Sequence, residues 1–167
     1  MTLDAAGQVT FARKIAMDRL AERDRSRHEL LTSLAKRKVP DDVAAAVVDR
    51  LADEGFVDDA RFAQAWVSAR HRSKGLAPRA LRLELERKGV ARDHIDAALD
   101  EVDVDSQRQA AHLLVQRKLR SMSGLADDVK FRRLTGLLAR KGYSPSIAIE
   151  VVRTEVAAFA DLDAPLD

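Results

Sequence analysis

The sequence predicts an all-α protein, an elongated array of three tandem three-helix repeats of helix-turn-helix character. Three observations predict it. Almost every apolar cluster of the 167-residue chain follows a 3.6-residue period, and no stretch alternates strictly enough for a strand. Leu, Ala, Arg, Glu and Lys, all good helix formers, dominate the composition. One pattern occurs three times, in "LAKRKVPDDV" (34–43), "LERKGVARDHI" (85–95) and "LARKGYSPSI" (138–147). Each copy has a leucine, basic residues, an apolar anchor five positions on, a polar turn and the start of another helix. The anchors Val39, Val90 and Tyr143 lie 51 and 53 residues apart, the period of a three-helix unit. A unit of that length buries too little apolar surface alone, so neighbouring repeats are expected to pack on one another.

The first repeat is expected over residues 10–55, with helices at 10–23, 26–38 and 40–53. Ala12, Ile15, Ala16 and Leu20 share one face, as do Leu30, Leu31 and Leu34, and then Val43, Val47, Val48 and Leu51. "SRHE" (26–29) has the form of a capping box: Ser26 accepts from the Glu29 amide while Glu29 reaches back to the Ser26 amide. The second repeat is expected over 56–103, with helices at 59–73, 77–88 and 92–102. It opens on "GFVDDARFAQAW" (55–66), where Gly55 stops one helix, Asp58 caps the next, and Phe56, Phe62 and Trp66 are placed in the seam between repeats. The third is expected over 104–160, with helices at 105–121, 127–141 and 145–159. Gly89 and Gly142 stand where helices end, and Pro40 and Pro145 where new ones begin, at N1. Residues 1–9 and 161–167 are expected to be disordered tails.

Several function classes lose support. There is no cysteine, hence neither a disulfide nor thiolate chemistry. His28, His71, His94 and His112 are isolated, without the i+3 or i+4 partner of a metal site. Neither a phosphate-cradling glycine loop nor a nucleophile elbow occurs. The pairs Asp41/Asp42, Asp58/Asp59 and Asp127/Asp128 stand at helix starts, where they answer the macrodipole rather than serve acid–base catalysis. No enzyme, cofactor or metal is expected. No apolar run approaches a membrane span and the N-terminus lacks the form of a signal peptide, so a cytoplasmic protein is expected, as a monomer.

The net charge of +2 conceals blocks. Residues 61–92 carry 9 basic and 2 acidic side chains, and residues 93–105 carry none and 6; basic blocks recur over 13–38 and 117–141. The densest run, "RHRSKGLAPRALRLELERK" (70–88), supplies Arg70, Arg72, Lys74, Arg79, Arg82, Arg87 and Lys88. On its helix Leu81 and Leu85 face one way and Arg79 and Arg82 another, a stripe suited to phosphate contact. These seven, with Arg25 and Arg27 as a second patch, are the candidate contact residues. The same pattern also fits a solvated helix face. Repeated short helix–turn–helix connections leave open a stand-alone DNA-binding protein, or a helical interaction scaffold.

These residues carry a resemblance. The chain resembles the RecX family of recombinase regulators, at Gly55, Asp58, Asp59, Phe62 and Ala63 of "GFVDDARFAQAW". It does so again at Arg23, Ser26, Glu29, Leu30 and Leu34 of "RDRSRHELLTSL", and at Leu81, Leu85, Lys88, Gly89 and Val90 of "LRLELERKGV". Val57 stands where a bulkier aliphatic is usual, and the third repeat matches less closely. Ser26, Glu29, Leu30, Gly55, Phe56, Asp58, Asp59, Phe62, Trp66 and Gly89 are motif positions with mainly structural roles. The resemblance implies tandem three-helix repeats and a non-enzymatic modulator that binds the RecA recombinase. Such a modulator lodges along the groove of the RecA–DNA filament and restrains its growth. It thereby lowers ATPase, strand-exchange and coprotease activities in recombination, repair and the SOS response. It also implies direct contact with single- and double-stranded DNA for some members.

Overall fold

The computed structural model describes residues 3–164. Among them nine helices follow one another: α1 (Ala5–Glu22), α2 (Arg27–Lys36), α3 (Asp41–Asp53), α4 (Asp59–Lys74), α5 (Pro78–Arg87), α6 (Arg92–Leu99), α7 (Val104–Leu119), α8 (Asp127–Arg140) and α9 (Pro145–Asp163). All nine helices expected from periodicity are present, and no strand occurs among the described residues. The ends differ from expectation. Asp4 caps α1 by accepting from the Gly7 amide at 2.7 Å, and α9 runs to Asp163, so residues 5–9 and 161–163 are helical where disordered tails are expected. The remaining expected tail residues 1, 2 and 165–167 lie outside the described residues. Pro40 is the N-cap of α3 rather than its first residue, whereas Pro145 does stand at the start of α9 behind the Ser144 cap. No helix is long and apolar enough to cross a membrane.

Packing groups the chain into two compact units. One holds residues up to Trp66 together with Glu84–Ala98; the other holds Val67–Leu83 together with residues from Leu99 onward. The middle triplet, α4 to α6, is thus shared out, while α1–α3 and α7–α9 each pack as a three-helix set. In the first unit the core runs through Leu30, Leu34, Val48 and Leu51, all fully buried, and in the second through Val115, Leu134, Leu138 and Val151. Each such side chain contributes about 1.5–3 kcal/mol of burial.

The recurring motif closes its helices in one way. The amides of Val39, Val90 and Tyr143 donate to the carbonyls of Leu34, Leu85 and Leu138 at 3.1, 3.1 and 3.0 Å, the long bond of a Schellman turn. The residue before each anchor takes a left-handed conformation: Lys38 (φ 60°), Gly89 (φ 71°) and Gly142 (φ 96°). Two of the three are glycine for a further reason. A Cβ on Gly89 would sit 2.3 Å from the Cβ of His28, and one on Gly142 would sit 2.4 Å from the Ala80 amide nitrogen. At these two turns a neighbouring helix packs directly against the glycine.

In the first unit the α5–α6 turn meets the start of α2. Ser26, fully buried, accepts from the Glu29 amide at 3.1 Å and donates its hydroxyl to the Lys88 carbonyl at 2.6 Å. The capping box forms as expected, and Ser26 also ties α2 to the end of α5. Asp58 accepts from the Arg61 amide at 3.0 Å, while Asp59 accepts from the Arg27 amide at 2.8 Å and so binds α4 to α2. Phe62 is buried and stacks on Trp66 at 5.8 Å. Phe56 departs from its expected place: it is 46% exposed. It directly follows Gly55 in the closing turn of α3, which turns its ring outward while Val57 enters the core instead. In the second unit the α8–α9 turn meets the start of α5. The Ala77 amide donates to the Lys141 carbonyl at 2.8 Å, and the Tyr143 hydroxyl donates to the Gly75 carbonyl at 2.8 Å. Burial pushes the Tyr143 phenol up to about 12, so it stays a neutral donor.

Candidate functional site

The basic residues named from sequence divide between the two units and between two kinds of work. Those of the first unit are largely committed. Arg25 pairs with Glu22 at 2.7 Å and lies 4.0 Å from Glu29, with its side chain 16% exposed. Arg27 pairs with Asp49. Lys88 places its ammonium 3.4 Å from Glu29 and 4.9 Å from the centre of the Trp66 ring, whose indole N–H donates to Glu84 at 2.8 Å. Glu29 gathers these charges. Burial alone would push its carboxyl up, but hydrogen bonds from Arg23 and the Ser26 amide, with the charges of Arg23 and Lys88, outweigh it and hold the group below the usual carboxylate range. Arg87 is exposed.

In the second unit Arg70 and Arg82 are half-buried and partnered, and Arg79 is exposed. The α5 stripe has the polarity read from its spacing, with Leu81 and Leu85 fully buried. Arg72 and Lys74 do something the spacing did not show. They stand at the end of α4 and line a groove of about 290 Å³ with Arg117 of α7 and Lys141 of the α8–α9 turn. Lys141 is held there by donating to the Lys74 carbonyl at 3.3 Å, and His71 is tied to the Leu76 carbonyl at 2.8 Å. Arg117 belongs to the last turn of its helix, where the macrodipole favours a cation. Among the described residues none of these four cations forms an ion pair, and no carboxylate lines the groove. Leu113, 58% exposed, adds an apolar wall. The charge of such a groove suits an anionic group, and Leu113 sets one hydrophobic side chain beside it.

Sequence reasoning named Arg72 and Lys74 but missed Arg117, Lys141 and Leu113. The basic block over 117–141 was the available signal. Nothing in it tells which of its cations returns to the end of α4, because that depends on how α7 and α8 pack. The arrangement offers charge and shape.

Three-helix repeats carrying a cationic groove define a helical-repeat protein whose surface suits binding, and comparison with known proteins identifies its family. Residues 12–51, 58–99 and 105–152 match, in order, the profiles described as "RecX, first three-helix domain", "RecX, second three-helix domain" and "RecX, third three-helix domain". The chain belongs to the RecX family. It is 45% identical over 145 residues to "Regulatory protein RecX" of Streptomyces coelicolor, covering 87% of this chain and 77% of that one. It is 48% identical over 148 residues to the protein of the same name from Mycobacterium avium, covering 88% and 86%. Its fold is similar to the crystal structure of RecX from Lactobacillus salivarius, with a TM-score of 0.82 at 20% identity over 92% of this chain and 99% of that one.

Proposed function

We propose that this protein is a non-enzymatic cytoplasmic regulator that binds the RecA recombinase on DNA and restrains its filament. It thereby lowers RecA-dependent ATP hydrolysis, strand exchange and coprotease activity in recombination, repair and the SOS response. Membership of a family of regulatory proteins across all three of its domains is the observation that carries this reading. The groove of Arg72, Lys74, Arg117 and Lys141 supports it as the contact surface, since its cations and the exposed Leu113 suit a partner presenting acidic and apolar groups together.

RecA-dependent ATP hydrolysis on single-stranded DNA tests it. Added protein is expected to lower the rate, and Arg72→Glu/Lys74→Glu is expected to need at least about tenfold more protein for the same effect, since close interfacial charge reversal costs more than 1.4 kcal/mol. An unchanged rate at several-fold excess of protein refutes the function. Full inhibition by the variant at wild-type concentration refutes the groove.

A further inference from the structure

Three serines of the chain have a basic residue at both the third and the first position before them: Ser26 (Arg23, Arg25), Ser73 (Arg70, Arg72) and Ser121 (Lys118, Arg120). Such spacing is a charge pattern that protein kinases with acidic substrate grooves read. The structure separates the three. Ser26 is fully buried, and its hydroxyl is spent on the Lys88 carbonyl. Ser73 is held in the last turn of α4, so its backbone cannot extend into a kinase groove without unwinding the helix. Ser121 lies beyond the end of α7, exposed, in the connection to α8, and its hydroxyl donates to the Lys118 carbonyl at 2.8 Å.

The surroundings of Ser121 suit a phosphate. Ser121 lines a groove of about 420 Å³ together with Lys118 of α7 and Arg132, Arg133 and Arg140 of α8. These four cations form no ion pair among the described residues, and no carboxylate lines the groove. The Arg140 guanidinium lies 3.3 Å from where a Cβ on Gly136 would be, so the missing side chain lets it lie along the floor. Like charges gathered in one concavity repel each other, and an anion attached beside them relieves the repulsion. The end of α7 opposes an anion with roughly half a negative charge from its macrodipole, which four whole cations outweigh. A phosphate carried on Ser121 is already localised at the groove, so its charge-assisted hydrogen bonds form at high effective concentration.

We propose that Ser121 is a phosphorylation site and that its phosphate closes the α7–α8 groove by pairing with Lys118, Arg132, Arg133 and Arg140. In the transfer the Ser121 oxygen bonds the γ-phosphorus of a nucleoside triphosphate as the bond from that phosphorus to the β–γ bridging oxygen breaks. The nucleoside diphosphate leaves, and the hydroxyl proton passes to the base of the kinase. The product ties the connection after α7 to α8 and cancels up to about two positive charges of the groove. It requires neither the recombinase nor DNA.

Thermal unfolding of the full chain phosphorylated on Ser121, made by encoding phosphoserine at that codon, tests the pairing. The midpoint is expected to rise by about 3 °C at low salt, and the rise to shrink as salt is added. The chain phosphorylated on Ser123, which does not line the groove, is expected to melt within about 1 °C of the unmodified protein. Arg132→Gln/Arg133→Gln is expected to remove most of the rise. No rise on Ser121, an equal rise on Ser123, or a rise that survives Arg132→Gln/Arg133→Gln overturns the proposal. Should that variant lose its helical circular dichroism, Lys118→Gln/Arg140→Gln carries the same expectation. Incubation with an arginine-directed serine kinase and ATP, read by mass spectrometry, tests the site itself, and Ser121 is expected to carry most of the phosphate. Phosphate on Ser73 with none on Ser121 overturns the assignment, and so does a chain that takes up no phosphate.

Discussion

The α5–α6 turn against α2 and the α8–α9 turn against α5 are two versions of one joint. Both present a Lys-Gly pair whose lysine carbonyl accepts a hydrogen bond from the start of the opposing helix, and both bring the glycine Cα against that helix. Their chemistry then diverges. The first is polar and charged: the Ser26 hydroxyl reaches Lys88, and Glu29 collects Arg23 and Lys88. The second is main-chain and aromatic: the Ala77 amide reaches Lys141, and Tyr143 reaches Gly75. The lysine side chains follow suit. Lys88 is consumed by the joint, whereas Lys141, held only by the Lys74 carbonyl, lines an open groove. The same backbone device therefore leaves one cation structural and another available for a partner. Position in the motif sets the fold of each joint, and the opposing helix sets what its lysine does.

The largest expected effect bears on the first joint's aromatic support. Phe62→Ala is expected to destabilise by about 3–5 kcal/mol through the cavity it leaves, read by denaturant unfolding. Hydrogen exchange should show the loss concentrated in the unit that holds Phe62; a uniform loss would break the division between the joints.

The glycines come next. Gly142→Ala is expected to cost about 2–4 kcal/mol, because its Cβ meets the Ala80 main chain, which cannot rotate away, and φ is left-handed. Gly89→Ala is expected to cost a similar amount, because its Cβ meets the Cβ of His28, which is fixed to the α2 main chain, and φ is again left-handed. Lys38→Gly, at the matching turn of the first repeat, is expected to be neutral or stabilising by up to about 1 kcal/mol. An unchanged melting temperature in either alanine variant would show that the neighbouring helix yields and that the turn does not require glycine.

Single hydrogen bonds give smaller changes. Ser26→Ala removes both a cap and the link to Lys88 and is expected to cost about 1–2 kcal/mol. Tyr143→Phe removes one bond and should cost nearer 1 kcal/mol. A reversed order would mean that the aromatic joint is the more dependent on its polar contact.

The smallest effect is pH dependence. The Glu29 carboxyl is held below its ordinary range in the folded protein, so its contribution is complete above the unfolded carboxylate pKa and is lost as pH falls through the folded one. Comparing Glu29→Gln with the wild type from roughly pH 6 down to 3 should show a stability difference that shrinks on acidification. A constant difference would remove Glu29 from the charge network.

Period, capping residues and glycine placement determined the nine helices, the three motif copies and the capping box, because each depends on neighbours within a few residues. Asp58 as a cap and Phe62 as a buried ring were legible for the same reason. Phe56 was not: its exposure depends on how the turn after Gly55 directs its side chain. Nor was the fate of the cations. Arg25, Lys88, Arg72 and Lys141 look alike in sequence, yet two meet carboxylates and two line a groove. Helix packing over tens of residues decides which charges find partners, and charge pairing depends on distances that no local pattern contains. The sequence by itself determined what folds into helices and where the repeats recur. Only the tertiary structure decided the division into two compact units, the use of Lys-Gly turns as joints, and the grooves that hold cations free for a partner.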